Sequence, residues 1–506
     1  MKNNIGMRTV LLAIALLLIP SAAWGDSSAL QKQLQSIVAD KSIRGAKIGV
    51  HVVNVDNSVE VFSHRSNTPL QPASTMKLIT SAAALKTLGP AYQFETKIST
   101  SAKLLNNGVL KGDLYVQSNG DPTMVVEKMW KLVQDIRLAG VNEVEGKVIF
   151  DDMGMEQFEG IPGWEKQADI KRGPSYYPAI GAFTLNFNTT ALVVRPSSKV
   201  GRKAHVVLET PSGVVKVRNL TKTTSAGAPL TLHIERVIEE SSTTFKISGA
   251  IPLNATAQRY YRAIADPTAY YMGTFKEMCE VHDIAVRGGF HAETIPEEPT
   301  RTLVVLHSPS LGKILFDMNK ISHNLMAEQV VQALGVSTGN TNGSFEDGMR
   351  EIDSYIESLV GGPTTVESFV NGSGLTHGTQ IRAATITRVL VDMHTDPEIG
   401  TEFKASLSIG GLDGTLRKRF EGEHEVNQVR GKTGTLNGVS CLAGYVRDAD
   451  GQEYAFAFLI NNLAGGSYTA KMIQDRFTEA LMNNSQHKSS KTSASLSTSF
   501  NTIASN

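Results

Sequence analysis

A mixed α/β chain is predicted, with one antiparallel sheet built from both ends of the sequence and a β-rich insertion between them. Three observations carry this. Near the start, "AKIGVHVVNVDNSVEVFSHR" has two β-rich runs flanking Asp56–Asn57, the pattern of an antiparallel hairpin. Far downstream, "EVNQVRGKTGTL", "SCLAGYVRDADG" and "EYAFAFLINN" read as three successive antiparallel strands. Helical periodicity accompanies both sets, whereas residues 101–300 are dominated by short β-rich runs separated by Gly, Asn, Asp and Pro. A sheet shared by the two ends leaves 101–300 as the insertion.

The elements follow in order. Residues 1–25 read as a secretory signal peptide. Lys2 and Arg8 precede the apolar run "TVLLAIALLLIP", and small residues Ala23 and Gly25 mark cleavage after Gly25. That run is short for a span of about 20 residues, so a soluble, extracytoplasmic mature chain is expected. "SALQKQLQSIVADKSI" is a helix, and the hairpin follows it. "QPASTMKLITSAAALKTLGP" is a second helix that stops at Gly89–Pro90, with Met76, Ile79 and Ala83 as its buried stripe. Two helices interrupt the insertion: "MVVEKMWKLVQDIRLAG", and "DPTAYYMGTFKEMCEVHDI" with Asp266 as N-cap and Pro267 at the first position. Helices resume at "LGKILFDMNKIS", "NLMAEQVVQALG" and "FEDGMREIDSYIESLV", and "SYTAKMIQDRFTEALM" closes the fold. Residues 485–506 are Ser/Thr/Asn-rich and are expected to be a disordered tail. The shared-sheet domain therefore comprises 26–100 and 301–484.

Composition bounds the function. Of 506 residues, 41% are hydrophobic and 19% charged, enough for a real core. Lys+Arg and Asp+Glu are both 49, so no net charge points to nucleic acid. Cys279 and Cys441 are the two cysteines, and unpaired thiols are expected. No Cys/His cluster has zinc spacing, and "RDADGQEYAF" reads as a hairpin turn ending at Gly451 rather than a calcium loop. No metal or cofactor is implied.

The candidate chemistry starts at "PASTMK", where Ser74 and Lys77 share a helix face. Ser-x-x-Lys alone is weak. About two are expected by chance at average composition, and "SLGK" and "SQHK" also match. Two further pieces select Ser74: Ser322-His323-Asn324 in "ISHNLMAE", and Lys432-Thr433-Gly434 in "VRGKTGTLNG", the only Lys-Thr-Gly in the chain. A serine hydroxyl needs a base, and a lysine serves only when burial or a second cation disfavours its charge, so two lysines around one serine make physical sense.

The three motifs in this order are those of the penicillin-recognising serine enzymes. With "NGSGLTHG", "GGLDGTLRKRF", "YYPAIGAFTLNFN" and "GDLYVQSNGDPT", the chain resembles the class C low-molecular-mass penicillin-binding proteins, the D-alanyl-D-alanine carboxypeptidase/endopeptidase family. The gap from Lys77 to Ser322 is large enough for that family's insertion. The resemblance implies a five-stranded antiparallel sheet flanked by helices. It implies Ser74 as nucleophile, Lys77 as its base, Lys432 as the second cation, Ser322 as proton relay and Asn324 as a ligand of the substrate amide. Asn324 is also expected to cap its helix. The backbone N–H groups of Ser74 and Thr435 would form the oxyanion hole, Gly434 would admit the substrate backbone, and Lys432, Thr433 and Thr435 would bind a D-Ala carboxylate. Peptidoglycan stem peptides are the implied partners, β-lactams the covalent inhibitors, and the periplasm the compartment. Peripheral membrane association is compatible with this, and nucleic acid is not a partner. The sequence departs from the family pattern at His323, expected to be a packed histidine, and at Thr376–His377, which bears on substrate preference. The alternatives are a β-lactamase and a non-catalytic peptidoglycan-binding protein of the same fold.

Overall fold

A computed structural model describes residues 25–485, except 165–166, 211, 298–299 and 338–343. The expected signal peptide before Gly25 and the expected tail beyond Ser485 lie outside the described residues.

Six strands form the central sheet: β1 (Lys47–Asn54), β2 (Glu60–His64), β3 (Ser408–Ile409), β4 (Val429–Leu436), β5 (Val439–Arg447) and β6 (Glu453–Asn461). Their order is β3-β4-β5-β6-β1-β2, antiparallel throughout. The hairpin β1–β2 therefore joins the three C-terminal strands through β1 and β6, where Val50 faces Phe458 and Val52 faces Phe456. The five expected strands are present. The sixth, β3, is only two residues long, too short to mark itself by alternation.

Among the helices that cover this sheet or position the residues of the cleft are α1 (Gly25–Val38), α2 (Met76–Leu88), α3 (Leu311–Ile321), α4 (Asn324–Ser337) and α5 (Ser467–Met482). Both faces of the sheet are covered. Phe456, Phe458 and Ile460 of β6 pack with Leu34 of α1 and Phe477 of α5, while Ala455, Ala457 and Leu459 join the core around α2 and α4. The sequence pattern gave α2 one buried stripe. In the structure every residue from Met76 to Leu85 is buried, because other elements enclose the helix on all sides.

The insertion leaves and rejoins this core at one point. Phe94 and Ser308 exchange hydrogen bonds of 2.9 Å each, and the strands Glu95–Thr100 and Arg301–His307 then pair antiparallel. Both belong to a five-stranded mixed sheet of the insertion. An insertion starting at 101 would cut that sheet, so we assign residues 95–307 to it. A second sheet, remote in sequence from both ends, runs Val215–Thr224, Ser242–Pro252, His233–Glu239. The insertion is not a separate appendage. From α4, Gln329 Nε2 donates to the carbonyls of Gly120 (3.0 Å) and Gly181 (2.8 Å), and Gln332 Nε2 to that of Glu156 (2.7 Å).

Candidate active site

Ser74 lies in a single 3-10 turn, Ala73–Thr75, that feeds directly into α2. The turn is tight. Ala73 has φ +47°, and the amide and hydroxyl of Thr75 both donate to the Pro72 carbonyl, at 3.2 and 2.7 Å. Two glycines press on it. A Cβ on Gly374, whose φ is +74°, would stand 1.9 Å from the Ala73 carbonyl oxygen. One on Gly434 would stand 2.6 Å from the Pro72 carbonyl oxygen and 3.1 Å from the Ser74 nitrogen. Gly434 thus lets β4 lie against the turn that carries Ser74, a constraint independent of any substrate.

Lys77, one helical turn on, is fully buried. Its Nζ donates to Ser74 Oγ (3.2 Å), Asn324 Oδ1 (2.8 Å) and the Ser373 carbonyl (2.8 Å). Burial pushes its pKa down to about 7, against the pull of the Glu328 carboxylate. Lys432 is also fully buried. Its Nζ donates to Ser322 Oγ (2.8 Å) and to the Thr433 carbonyl (2.9 Å). Its pKa is pushed well down by burial and then by the nearby Lys77. Desolvation is therefore the leading cause at both lysines, where the motifs alone give the second cation equal weight.

Ser322 ends α3 in the left-handed conformation, φ 60° and ψ 44°, which turns its hydroxyl to Lys432. Asn324 opens α4 with its side chain turned away from the helix: Oδ1 accepts from Lys77, and Nδ2 donates to the Tyr176 carbonyl at 2.8 Å. The expectation that it also caps its own helix is corrected, since neither side-chain bond goes to the helix. His323 between them is packed. Its ring lies 4.6 Å from that of Phe187, and burial, with Lys77 adding to it, lowers its pKa to about 4.

Glu328 was not found from the sequence. It sits one turn beyond Asn324 on α4, wholly buried. Its two oxygens accept the amides of Gly372 (2.8 Å) and Ser373 (3.0 Å). The same loop gives its carbonyls to α2: Gly372 to Thr80 Oγ1 (2.7 Å) and Ser373 to Lys77 Nζ. One carboxylate thus fixes the loop whose carbonyl holds Lys77. Burial pushes the Glu328 pKa up, and the two loop donors and Lys77 pull it back.

Around Ser74 the surface is concave in two directions. One compartment, about 300 Å³, is lined by Trp164 and Tyr176 of the insertion together with Ser322, Asn324, Leu375 and Thr435. The other, about 410 Å³, is lined by Ser322, Thr433, Thr435, Thr415, Arg419 and Lys471. Thr433 Oγ1 donates to Thr415 Oγ1 at 2.9 Å, and Arg419 is tied to Asp475 by a 2.7 Å contact from Nε. β3 pairs only with Arg430 and Gly431 of β4, so Lys432 to Leu436 leave one strand edge facing the cleft. The structure therefore brings Ser74, Lys77, Ser322, Asn324, Lys432, Thr433, Gly434 and Thr435 into one site. Beyond Glu328, sequence reasoning missed Trp164, Tyr176 and Lys471. Tyr176 lies within "YYPAIGAFTLNFN", but nothing local distinguished it from its neighbours.

Such a cluster suits acyl transfer: a hydroxyl beside an amine whose burial favours its neutral form, a relay hydroxyl beside a second amine, and amides of a helix start and a strand edge close together. The sequence profile of the D-Ala-D-Ala carboxypeptidase 3 (S13) family matches residues 30–483. A D-alanyl-D-alanine carboxypeptidase from Actinomadura sp. (strain R39) is 29% identical over 509 residues, covering 96% of this chain and 92% of the relative. The D-alanyl-D-alanine carboxypeptidase DacB of Haemophilus influenzae is 23% identical over 440 residues, 86% of this chain and 90% of its own. The crystal structure of penicillin binding protein 4 from Haemophilus influenzae matches the fold with a TM-score of 0.76 at 21% identity, covering 89% of this chain and 98% of that one.

Proposed function

Because the chain belongs to the D-Ala-D-Ala carboxypeptidase 3 (S13) family, we propose how its own residues carry out serine D,D-peptidase chemistry. The enzyme hydrolyses peptides ending in D-Ala–D-Ala through an acyl-Ser74 intermediate. Ser74 Oγ attacks the carbonyl carbon of the penultimate D-Ala, and its proton passes to the neutral amine of Lys77. The resulting oxyanion is held by the N–H groups of Ser74 and Thr435. Collapse breaks the C–N bond. The proton reaches the leaving amine through Ser322, with Lys432 supporting that hydroxyl, and D-Ala departs. Water then cleaves the ester and restores Ser74. Asn324 orients Lys77 and meets the substrate amide. The terminal carboxylate lies in the Thr433/Thr435 compartment, and Lys471 on its wall supplies a positive charge there.

The observation that carries this reading is the buried Lys77 amine 3.2 Å from Ser74 Oγ. A general base works best with a pKa near the operating pH, and Lys77 is near 7. Glu328 is the counterweight. Burial pushes its pKa up, while the amides of Gly372 and Ser373 and the nearby Lys77 favour its carboxylate form, the form this reading assigns to it. Its charge offsets part of the desolvation of Lys77 and keeps that amine basic enough to take the proton.

Peptidoglycan stem peptides are the substrates in this reading, with cross-link cleavage as an endopeptidase using the same site, and β-lactams acylate Ser74. The mature chain works in the periplasm after loss of its signal peptide. Family membership favours the peptidase over the β-lactamase and the non-catalytic alternatives. The test is release of free D-Ala from a peptide ending in D-Ala–D-Ala. The wild type releases it and a folded Ser74→Ala variant does not. Equal release by both would reject the assignment.

A further inference from the structure

The inserted sheet of Val215–Thr224 carries an outer face unlike the rest of this electrically balanced chain. Lys216, Arg218 and Lys222 are exposed at alternate positions of that strand, which forms one edge of its sheet. The turn carrying Lys199, Arg202 and Lys203, all exposed, is fastened to the same strand. The Gly201 amide donates to the Thr223 carbonyl at 2.8 Å, and the Thr223 amide to the Arg202 carbonyl at 2.7 Å. From Pro196 to Ala265 the chain has four carboxylates: Glu209, Glu235, and Glu239 and Glu240 at the Val215 end of the sheet, opposite the end at Thr224. Among the described residues, the ion pairs of this region use other cations: Arg259 with Glu209 (2.6 Å) and Lys246 with Glu235 (3.4 Å).

Apolar side chains stand among these cations. Val200 is 53% exposed, Leu220 43%, Leu230 44% and Leu253 38%. Backbone bonds gather Val200, Leu230 and Leu253 at one tip, and Leu220 lies two residues before Lys222 on the exposed face of the strand that leads to it. Leu253 donates to the Thr224 carbonyl (2.9 Å), and Thr231, next to Leu230, donates to that of Ala250 (2.9 Å), which lies opposite Lys222. Lysines on an edge strand discourage pairing with another strand, but that role gives no reason for four exposed apolar groups beside them. A dissolved polyanion would use the cations alone. An anionic bilayer uses both, since cations meet the headgroups while apolar side chains enter the boundary below.

We propose that this tip of the insertion is a peripheral docking surface for an anionic lipid membrane. It would hold the enzyme at the membrane face while the site around Ser74 stays in the aqueous layer.

The test is co-sedimentation of the mature chain with vesicles of phosphatidylcholine alone or mixed with phosphatidylglycerol. Two variants accompany it: Lys199→Glu/Arg202→Glu/Lys222→Glu, and Leu220→Ser/Leu253→Ser. All these positions are exposed and away from Ser74, so thermal melting and D-Ala release serve as controls and should not change. The expected result is binding to the mixed vesicles only, weakened by salt, at least about tenfold weaker after charge reversal, and clearly weaker in the Leu variant at unchanged charge. No preference for the anionic vesicles, or undiminished binding after charge reversal, overturns the proposal. So does a Leu variant that binds like wild type while soluble polyphosphate competes fully, an outcome that assigns the cations to a dissolved polyanion.

Discussion

Lys77 Nζ stands 3.2 Å from Ser74 Oγ, held there by two shorter bonds, to Asn324 Oδ1 and to the Ser373 carbonyl. The neutral amine is the working base, and burial brings its pKa to about 7. Acylation by benzylpenicillin should therefore rise with pH through about 7 and level off above it. Stopped-flow acylation across that range measures the midpoint. Lys77→Arg, whose guanidinium does not deprotonate, should lose at least about 100-fold at every pH.

Glu328 raises the Lys77 pKa through its charge. Glu328→Gln removes that charge, so the acid limb of the same profile should move to lower pH. Its amide also turns a donor toward one of the Gly372 and Ser373 N–H groups, which costs about 1–3 kcal/mol and should lower the plateau. A lowered plateau with an unmoved midpoint would leave Glu328 a purely structural support.

Gly374 and Gly434 set how closely the nucleophile turn is held. Gly374→Ala adds about 1–2 kcal/mol of left-handed strain to a clash with the Ala73 carbonyl. Gly434→Ala has no such strain, only the 2.6 Å approach to Pro72. Both should lower the melting temperature and slow acylation, Gly374→Ala more in stability.

Lys471 should act on binding. Lys471→Ala is expected to lower kcat/KM for a D-Ala–D-Ala peptide about tenfold, chiefly through KM, and to leave a substrate amidated at its C-terminus unaffected. Steady-state kinetics on the two peptides compare them.

Cys279 and Cys441 are unpaired and buried, and burial pushes each thiol up to about 12. Neither should react with a thiol reagent in the native state, and both should in denaturant, as counted by mass.

Much of the fold and the site was legible in the sequence because their signals are local. Ser74 and Lys77 are three apart across a 3-10 turn and the helix it feeds, Lys432 to Thr435 lie on one strand, and the hairpin at Asp56–Asn57 has its own alternation. What was illegible depends on contacts between distant segments. Glu328 lies in the apolar run "NLMAEQVV", and only the fold sets it against the amides of Gly372 and Ser373. Asn324 looked like a cap because a helix follows it, but Lys77 and the Tyr176 carbonyl claim its side chain. The insertion's limits were misread by a few residues because Glu95–Thr100 and Arg301–His307 are strands like any other until their pairing is known. The second sheet's cations do not stand out in the sequence because the whole chain is neutral and their excess is regional.

Ser74 as the nucleophile is tested by the intact mass of the purified mature protein after incubation with benzylpenicillin, with the adduct mapped by peptide. One adduct is expected, on the peptide containing Ser74, slow to disappear and absent from Ser74→Ala. A folded wild-type protein that takes up no penicillin, or carries it on another residue, would contradict Ser74 as the nucleophile.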